Sequence, residues 1–403
     1  MTETTAASDR TAGQPPRTKR ERHERKQRVL THGAPSTTAA IADAIVVKDG
    51  AIFLLTDPDG SVPFHNGHGL GLYYHDCRYL DGYEVLINET KPQPLVATAA
   101  AGFKAILELT NADFAAKDGD VVQKESIGIK WERMVDVARS ALRDMITFQN
   151  FNVAPVEFTI NLRFSSDFED IFSVRSLLPE RPGKLKPPRW DEHVLFFSYD
   201  GADGLYRGLN IHFTPHPDDR QAAKAEFEIA LQPGETKRVL VSLVVVESED
   251  EEQIQPRPHE QPDLVRIENL LHRSSDQWLQ RQTEVDSDSL VLNRLMERSF
   301  RDLRVLTNSL NNREYFDAGV PWFVTLFGRD SLITALQMLA YNPAIAENTL
   351  RLLASYQGDR VDDWRDEQPG KIIHELRIGE LARLGEVPHS RYYGTVDATP
   401  LFL

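Results

Sequence analysis

Cysteine is nearly absent from this chain: Cys77 is the only one in 403 residues. That excludes an intrachain disulfide framework and any multi-cysteine metal site, and it fits a reducing compartment. Long apolar runs are missing as well. No stretch reaches the ~18–20 uninterrupted apolar residues of a spanning helix, and the opening MTETTAASDR lacks the apolar core of a secretory leader. Positive charge is in deficit, with 46 Lys and Arg against 61 Asp and Glu and a net charge of −15. A surface of that sign repels phosphate backbones, so neither nucleic acid nor a membrane is the expected partner. The expectation is a soluble, cytoplasmic protein. Its 41% apolar share is ample for a core, and its length suggests two or three domains.

Four regions follow from composition and period. Residues 1–42 hold the run RTKRERHERKQR among Ala, Thr, Ser and Pro. They read as a disordered basic tail, with an anionic partner site as the sharper alternative. From 43 to 248 the strand period dominates. Val156, Phe158, Ile160, Leu162 and Phe164 alternate with polar residues, which puts all five on one face. Phe227, Ile229 and Leu231 form another strand, Pro233-Gly234 the turn, and Val239, Val241, Leu243 and Val245 the return. Many half-polar strands argue an antiparallel β-sandwich. Residues 249–285 read as a linker (SEDEEQIQPRPHEQP) and a connecting helix capped by Asp263.

From 286 to 403 the period is helical. The pattern predicts a long helix from about Asp288 to Asn311, a third helix near Asp330, a fourth over AIAENTLRLLASYQ, and a fifth from about Lys371. The chain closes on the apolar Thr399-Pro400-Leu401-Phe402-Leu403, and about 115 helical residues supply only part of a helical barrel. A truncated domain is therefore expected.

Two constellations could carry chemistry. In DAGVPWFVTLFGRDS, Asp330 either caps a helix or joins Arg329 and the rings of Trp322, Phe323 and Phe327 in a carbohydrate pocket. In HELRIGELARLGEVPHSRYYGTVDATPLFL, His374, Glu375, Arg377 and Glu380 fall at helical spacing, either as a solvated face or as part of a site. The second His that a zinc-binding HExxH helix requires is missing, so a zinc reading fails. No metal or cofactor is expected. Asp397 is either a helix N-terminal acid or a buried acid facing the cavity of Asp330. Glycoside hydrolysis needs two carboxyl groups, which gives both aspartates weight. His75, Asp76, Arg78 and Tyr79 form a further polar-aromatic cluster, read as a domain interface or as a loop over the cavity mouth.

FGRDSL (327–332) resembles the Arg-Asp-Ser motif of glycosidases with (α/α)6 barrels, including glucoamylases and glycogen debranching enzymes. HELRIGE…YYGTVDATPLF and GLGLYYHDCRYLDGYEVLINE (69–89) resemble the bacterial amylo-α-1,6-glucosidase, or glycogen-debranching-like, family. The resemblance spans about 43–403 and implies a β-sandwich followed by an incomplete (α/α)6 toroid. It implies that Arg329 and Asp330 hold hydroxyls of the non-reducing-end sugar of an α-glucan or oligosaccharide, and that Asp397 is the general acid of an inverting hydrolase. Trp322, Glu375 and Tyr393 complete the candidate substrate-binding set. Asp397 would need burial, among Trp322, Tyr392 and Tyr393, to stay protonated near neutral pH. The family's general base lies well downstream of the acid, so it is expected beyond residue 403 and turnover by this chain is expected to be negligible. The competing readings are a non-catalytic carbohydrate-binding protein and a phosphorylase or other glycosidase on the same fold.

Overall fold

The computed structural model describes residues 43–403 except 66, 100, 116–120, 179–180 and 257–261, together with residues 21, 24, 26, 27 and 41. Most of the basic tail assigned to 1–42 thus lies outside the described residues. Residues 45–248 build three main sheets, and every pairing between their strands is antiparallel. A nine-stranded sheet runs, in spatial order, Lys184–Leu185, Val194–Asp200, Tyr206–Thr214, Thr236–Ser248, Ala141–Asn150, Ile127–Asp136, Lys104–Thr110 and Gln93–Thr98, with Arg189–Asp191 also on Val194–Asp200. A four-stranded sheet orders Asp219–Gln221, Lys224–Leu231, Val156–Ser165 and Gly82–Ile87. The third holds Ile45–Asp49, Ile52–Thr56, Gly71–Tyr74, Cys77–Leu80 and Glu169–Asp170.

Alternation explains the packing. Val156, Phe158, Ile160, Leu162 and Phe164 are all buried, and each buried side chain of this size contributes about 1.5–3 kcal/mol. Their cluster is continuous with the inward faces of the other sheets. The Pro233-Gly234 turn corrects an expectation. Lys224–Leu231 pairs with Val156–Ser165, whereas Thr236–Ser248 pairs with Ala141–Asn150 and Tyr206–Thr214. The turn carries the chain from one sheet to the other, so its two strands face each other across the core. An apolar face looks the same in either arrangement, and the sequence could not separate them.

The second half consists of helix pairs. Leu264–Gln280 is capped by Asp263, whose carboxylate accepts from Arg266 N at 3.0 Å, and it packs beside Leu290–Leu306. Gly328–Met338 packs with Pro343–Ala354. Two expected helices are corrected. The second ends at Leu306, and Thr307–Leu310 turns through Asn311-Asn312 (φ 52° and 58°) to pair with Arg313–Phe316. Paired asparagines tolerate the left-handed backbone that a tight hairpin needs. The helix expected from Lys371 is instead extended up to Gly379, and only Glu380–Arg383 forms a helical turn. His374 N donates to Tyr392 O at 2.6 Å, Leu376 N to Leu326 O at 3.1 Å and Arg377 N to His389 O at 2.7 Å, so neighbouring segments take the bonds a helix would have made internally.

Polar pairs join the halves. Lys48 Nζ lies 3.0 Å from Asp317, both side chains fully buried, and Arg304 lies 3.0 Å from Asp49. Asp76, in a left-handed turn with His75, accepts from Arg377 at 2.7 Å and from Ile378 N at 3.0 Å. Among the described residues no helix is long and apolar enough to cross a membrane.

Candidate functional site

A cleft of about 560 Å³ opens in the helical half, lined by Arg329, Asp362, Asp363, Asp366, Glu367, Lys371, His374, Thr395 and Asp397 among others. Its floor begins at the helix Gly328–Met338. Asp330 does not cap that helix: Phe327 is the cap residue, and Asp330 sits in the first turn. The helix start is held from outside, with Gly328 N donating to His374 O at 3.0 Å. A Cβ on Gly328 would come within 2.0 Å of Ile373 O, so only glycine lets the strand pass this close. That approach places His374 beside Arg329.

Arg329 is the hub of the cleft. Its guanidinium lies 3.5 Å from Asp330 and 3.4 Å from Asp397. Asp397 begins the short helix Ala398–Phe402, but its side chain makes no cap bond. The Thr395 hydroxyl donates to Asp397 Oδ1. That bond, with Arg329 opposite, holds the carboxyl below its ordinary value. Asp397 is about one-third exposed. The apolar burial expected to keep it protonated is therefore absent: the charged form is favoured by direct bonds and open solvent. One Asp330 oxygen, Oδ2, is shielded from solvent and has no hydrogen-bond donor.

The other candidates lie elsewhere. Trp322 is buried in the sandwich core, where its ring packs on Gly69. Tyr393 is buried in a helical-half cluster and donates to Tyr356 O at 2.9 Å. Glu375 is buried against Arg377 at 2.5 Å, with His389 3.6 Å away. Burial pushes the Glu375 carboxyl up, but Arg377 and His389 outweigh it and hold it below its ordinary value. Burial also pushes His389 down to about 4, which leaves it neutral at neutral pH. Arg377 continues to Asp76 and to Trp322 O at 2.6 Å. These three candidates thus belong to the frame behind the cleft, Arg329 and Asp397 line the cleft itself, and Asp330 stands behind Arg329 at 3.5 Å without lining it.

Sequence reasoning missed the acidic wall. Asp362, Asp363, Asp366 and Glu367 come from DDWRDEQ, and that run of charge around a tryptophan, just before the His374 motif, was the available signal. It also missed Thr395 as the partner of Asp397, although TVD places the two residues apart by the spacing of a local side-chain bond. His374, absent from the candidate substrate-binding set, lines the cleft with its ring edge-on to Phe327 and Tyr392. Burial pushes its imidazole pKa down. Among the described residues no group of three or more His, Cys, Asp or Glu is arranged to hold a metal ion.

Residues 47–242 match the family described as the N-terminal domain of (some) glycogen debranching enzymes. Those residues, just under half of this chain, are similar to that domain. The matched region ends within the strand Thr236–Ser248, so the cleft lies wholly outside it. No curated protein matches the sequence. Among solved structures, one described as a kojibiose phosphorylase from the human microbiome aligns at 9% identity with a TM-score of 0.51, over 79% of this chain and 47% of its own. A bacterial glucoamylase complexed with acarbose aligns at 10% identity with a TM-score of 0.45, over 78% of this chain and 50% of its own. The chain spans about half the length of each. The first likeness shows the fold: a domain of antiparallel sheets followed by helix pairs.

Proposed function

We propose that this chain is part of a glycoside hydrolase of the glycogen-debranching, amylo-α-1,6-glucosidase type, which cleaves an α-glucosidic bond in an α-glucan or oligosaccharide with inversion. The observation that carries the reading is the cleft's charged cluster, Arg329 within 3.5 Å of both Asp330 and Asp397. A guanidinium donates up to five hydrogen bonds and each carboxylate accepts several, which is the complement a ring of hydroxyls asks for. Arg329 and Asp330 hold the sugar on the non-reducing side, and Asp397 protonates the leaving oxygen. A sugar hydroxyl that draws Arg329 away removes part of what keeps Asp397 ionised, and a water-excluding ligand raises its pKa further. Trp322, Glu375 and Tyr393 act through the frame, keeping the His374 strand against the helix that bears Arg329. A free, buried Cys77 accords with an intracellular setting.

One observation favours a second reading, binding without cleavage: the cleft holds Asp397 in its ionised form. Phosphorolysis is a third outcome, suggested by the name of the first structural neighbour. In a longer protein that carries this chain together with a general base, incubation with an α-1,6-branched oligosaccharide, with and without inorganic phosphate, separates all three. Phosphate-independent release of glucose, first as the β-anomer, supports the proposal. Phosphate-dependent sugar phosphate identifies a phosphorylase. Binding by calorimetry with no product in either condition leaves the binding protein. Asp397→Asn is then expected to lower hydrolysis of natural substrates by 10²–10⁴ while sparing glucosyl fluoride, whose leaving group needs no proton.

A further inference from the structure

The acidic wall of the cleft already holds a ligand, and it comes from the chain itself. Lys26 Nζ lies 2.6 Å from the Asp366 carboxylate and donates to Asp363 O at 3.1 Å. The same ammonium stands 5.6 Å from the centre of the Tyr392 ring. Carboxylate, carbonyl and aromatic face enclose it on three sides, and only 12% of the Lys26 side chain stays exposed. Lysine heads ordinarily remain in water, so an ammonium this well covered marks a formed contact. Asp366 is itself set for it: its backbone is left-handed (φ 53°) and its carbonyl is fixed by Lys371 Nζ at 2.9 Å.

Lys26 belongs to the run RTKRERHERKQR, which the function of the cleft does not use. The run carries seven Lys and Arg against two Glu. The facing wall carries Asp362, Asp363, Asp366 and Glu367. Charges of opposite sign within a Debye length of ~8–10 Å attract without needing direct contact. Ile41 packs on the sandwich core 15 positions later. That stretch of chain can reach up to ~50 Å, and tethering raises the local concentration of Lys26 at the wall. We infer that the acidic wall of the cleft is a docking surface for the chain's own basic N-terminal run, with Lys26 as the anchoring side chain. The inference stands apart from the carbohydrate reading, since it concerns the occupant of the wall and not the reaction.

Zero-length carbodiimide coupling of the full chain, read by mass spectrometry after digestion, tests it. Lys104 and Glu268, 2.7 Å apart, provide an internal control for folded protein. The expected result is a Lys26–Asp366 amide at a yield within threefold of the control pair. Asp366→Asn should abolish that amide and leave the control unchanged. Coupling of a mixture of ¹⁴N- and ¹⁵N-labelled chains should give cross-links of a single label. An absent Lys26–Asp366 amide beside a normal control overturns the inference. Mixed-label cross-links overturn it too, because the occupant would then be a second copy.

Discussion

Asp170 and Asp397 carry the same carboxyl group in two regions of one molecule, and their surroundings drive them apart. Asp170 sits at the interface of the two halves, accepting from Phe172 N at 3.0 Å and from Leu381 N at 3.1 Å. Burial pushes its pKa up to about 7. Asp397 faces the open cleft, and the Thr395 hydroxyl and Arg329 hold it below the ordinary value. The interface and the cleft use the same residue types, so residue type does not tell a structural charge from an available one. Burial and the number of fixed partners do. At the interface Arg377 meets Asp76 and Glu375 under cover, whereas in the cleft Arg329 and Asp397 meet at 3.4 Å and both stay partly exposed.

The sharpest way to break this contrast is Arg377→Ala. It leaves Glu375 and Asp76 without their shared cation, and truncating one partner of a buried pair costs about 3–5 kcal/mol. Urea denaturation should show that loss, and a cost below about 1 kcal/mol would mean water already screens the interface. Asp170 gives the next effect. Its folded pKa lies above the unfolded value, so its contribution is fully present below about pH 4 and is lost as pH rises through about 7. Within that window stability should fall by up to ~1.4 kcal/mol per pH unit, and Asp170→Asn should flatten the profile of urea midpoints. A parallel profile in the variant would place the titration elsewhere.

Beside the cleft, Asp330→Asn should barely move the melting temperature, because the Arg329 contact it weakens is partly exposed. Oligosaccharide affinity by calorimetry should drop roughly ten- to a hundredfold, the value of a hydrogen bond to a charged group. Unchanged affinity would confine Asp330 to the helix start. The smallest effect belongs to Thr395→Val, which should let the Asp397 pKa rise toward the ordinary carboxylate range in a carboxyl ¹³C titration. No shift would assign the depression to Arg329 alone.

What was legible in the sequence follows the same division. Period-two alternation at Val156–Phe164 predicted a half-buried strand, and Asp263 after Pro262 predicted a helix start, because both signals are local. The Pro233-Gly234 turn was visible, but the sheets it connects depend on partners at Ala141–Asn150 and Val156–Ser165. Ile372, Ile373 and Leu376 mimic a helical stripe, yet Tyr392 and His389 claim their stretch for extended pairing. That single difference moved Glu375 from an imagined helix face to a buried ion pair. Arg329, Asp330 and Asp397 were readable as a group through motif resemblance. Trp322 and Tyr393 were not separable from them, since an aromatic residue looks equally suited to a core and to a sugar.

The Asp76 turn has a consequence for the two halves as units of inheritance. Its carboxylate, supplied by the N-terminal sheet domain, is fastened to Arg377 and to Ile378 N of the helical half. On the far side Gly379 passes so close that an added Cβ would stand 2.6 Å from the Asp170 carboxylate. Such joints transmit shape from one module to the other, and they cannot be matched by hydrophobicity alone. A chimera that grafts these helices onto another sandwich would therefore have to carry Asp76, Asp170 and the turn around His75 across with them. The same seam is expected to constrain recombination, so the two modules should vary together and not one at a time.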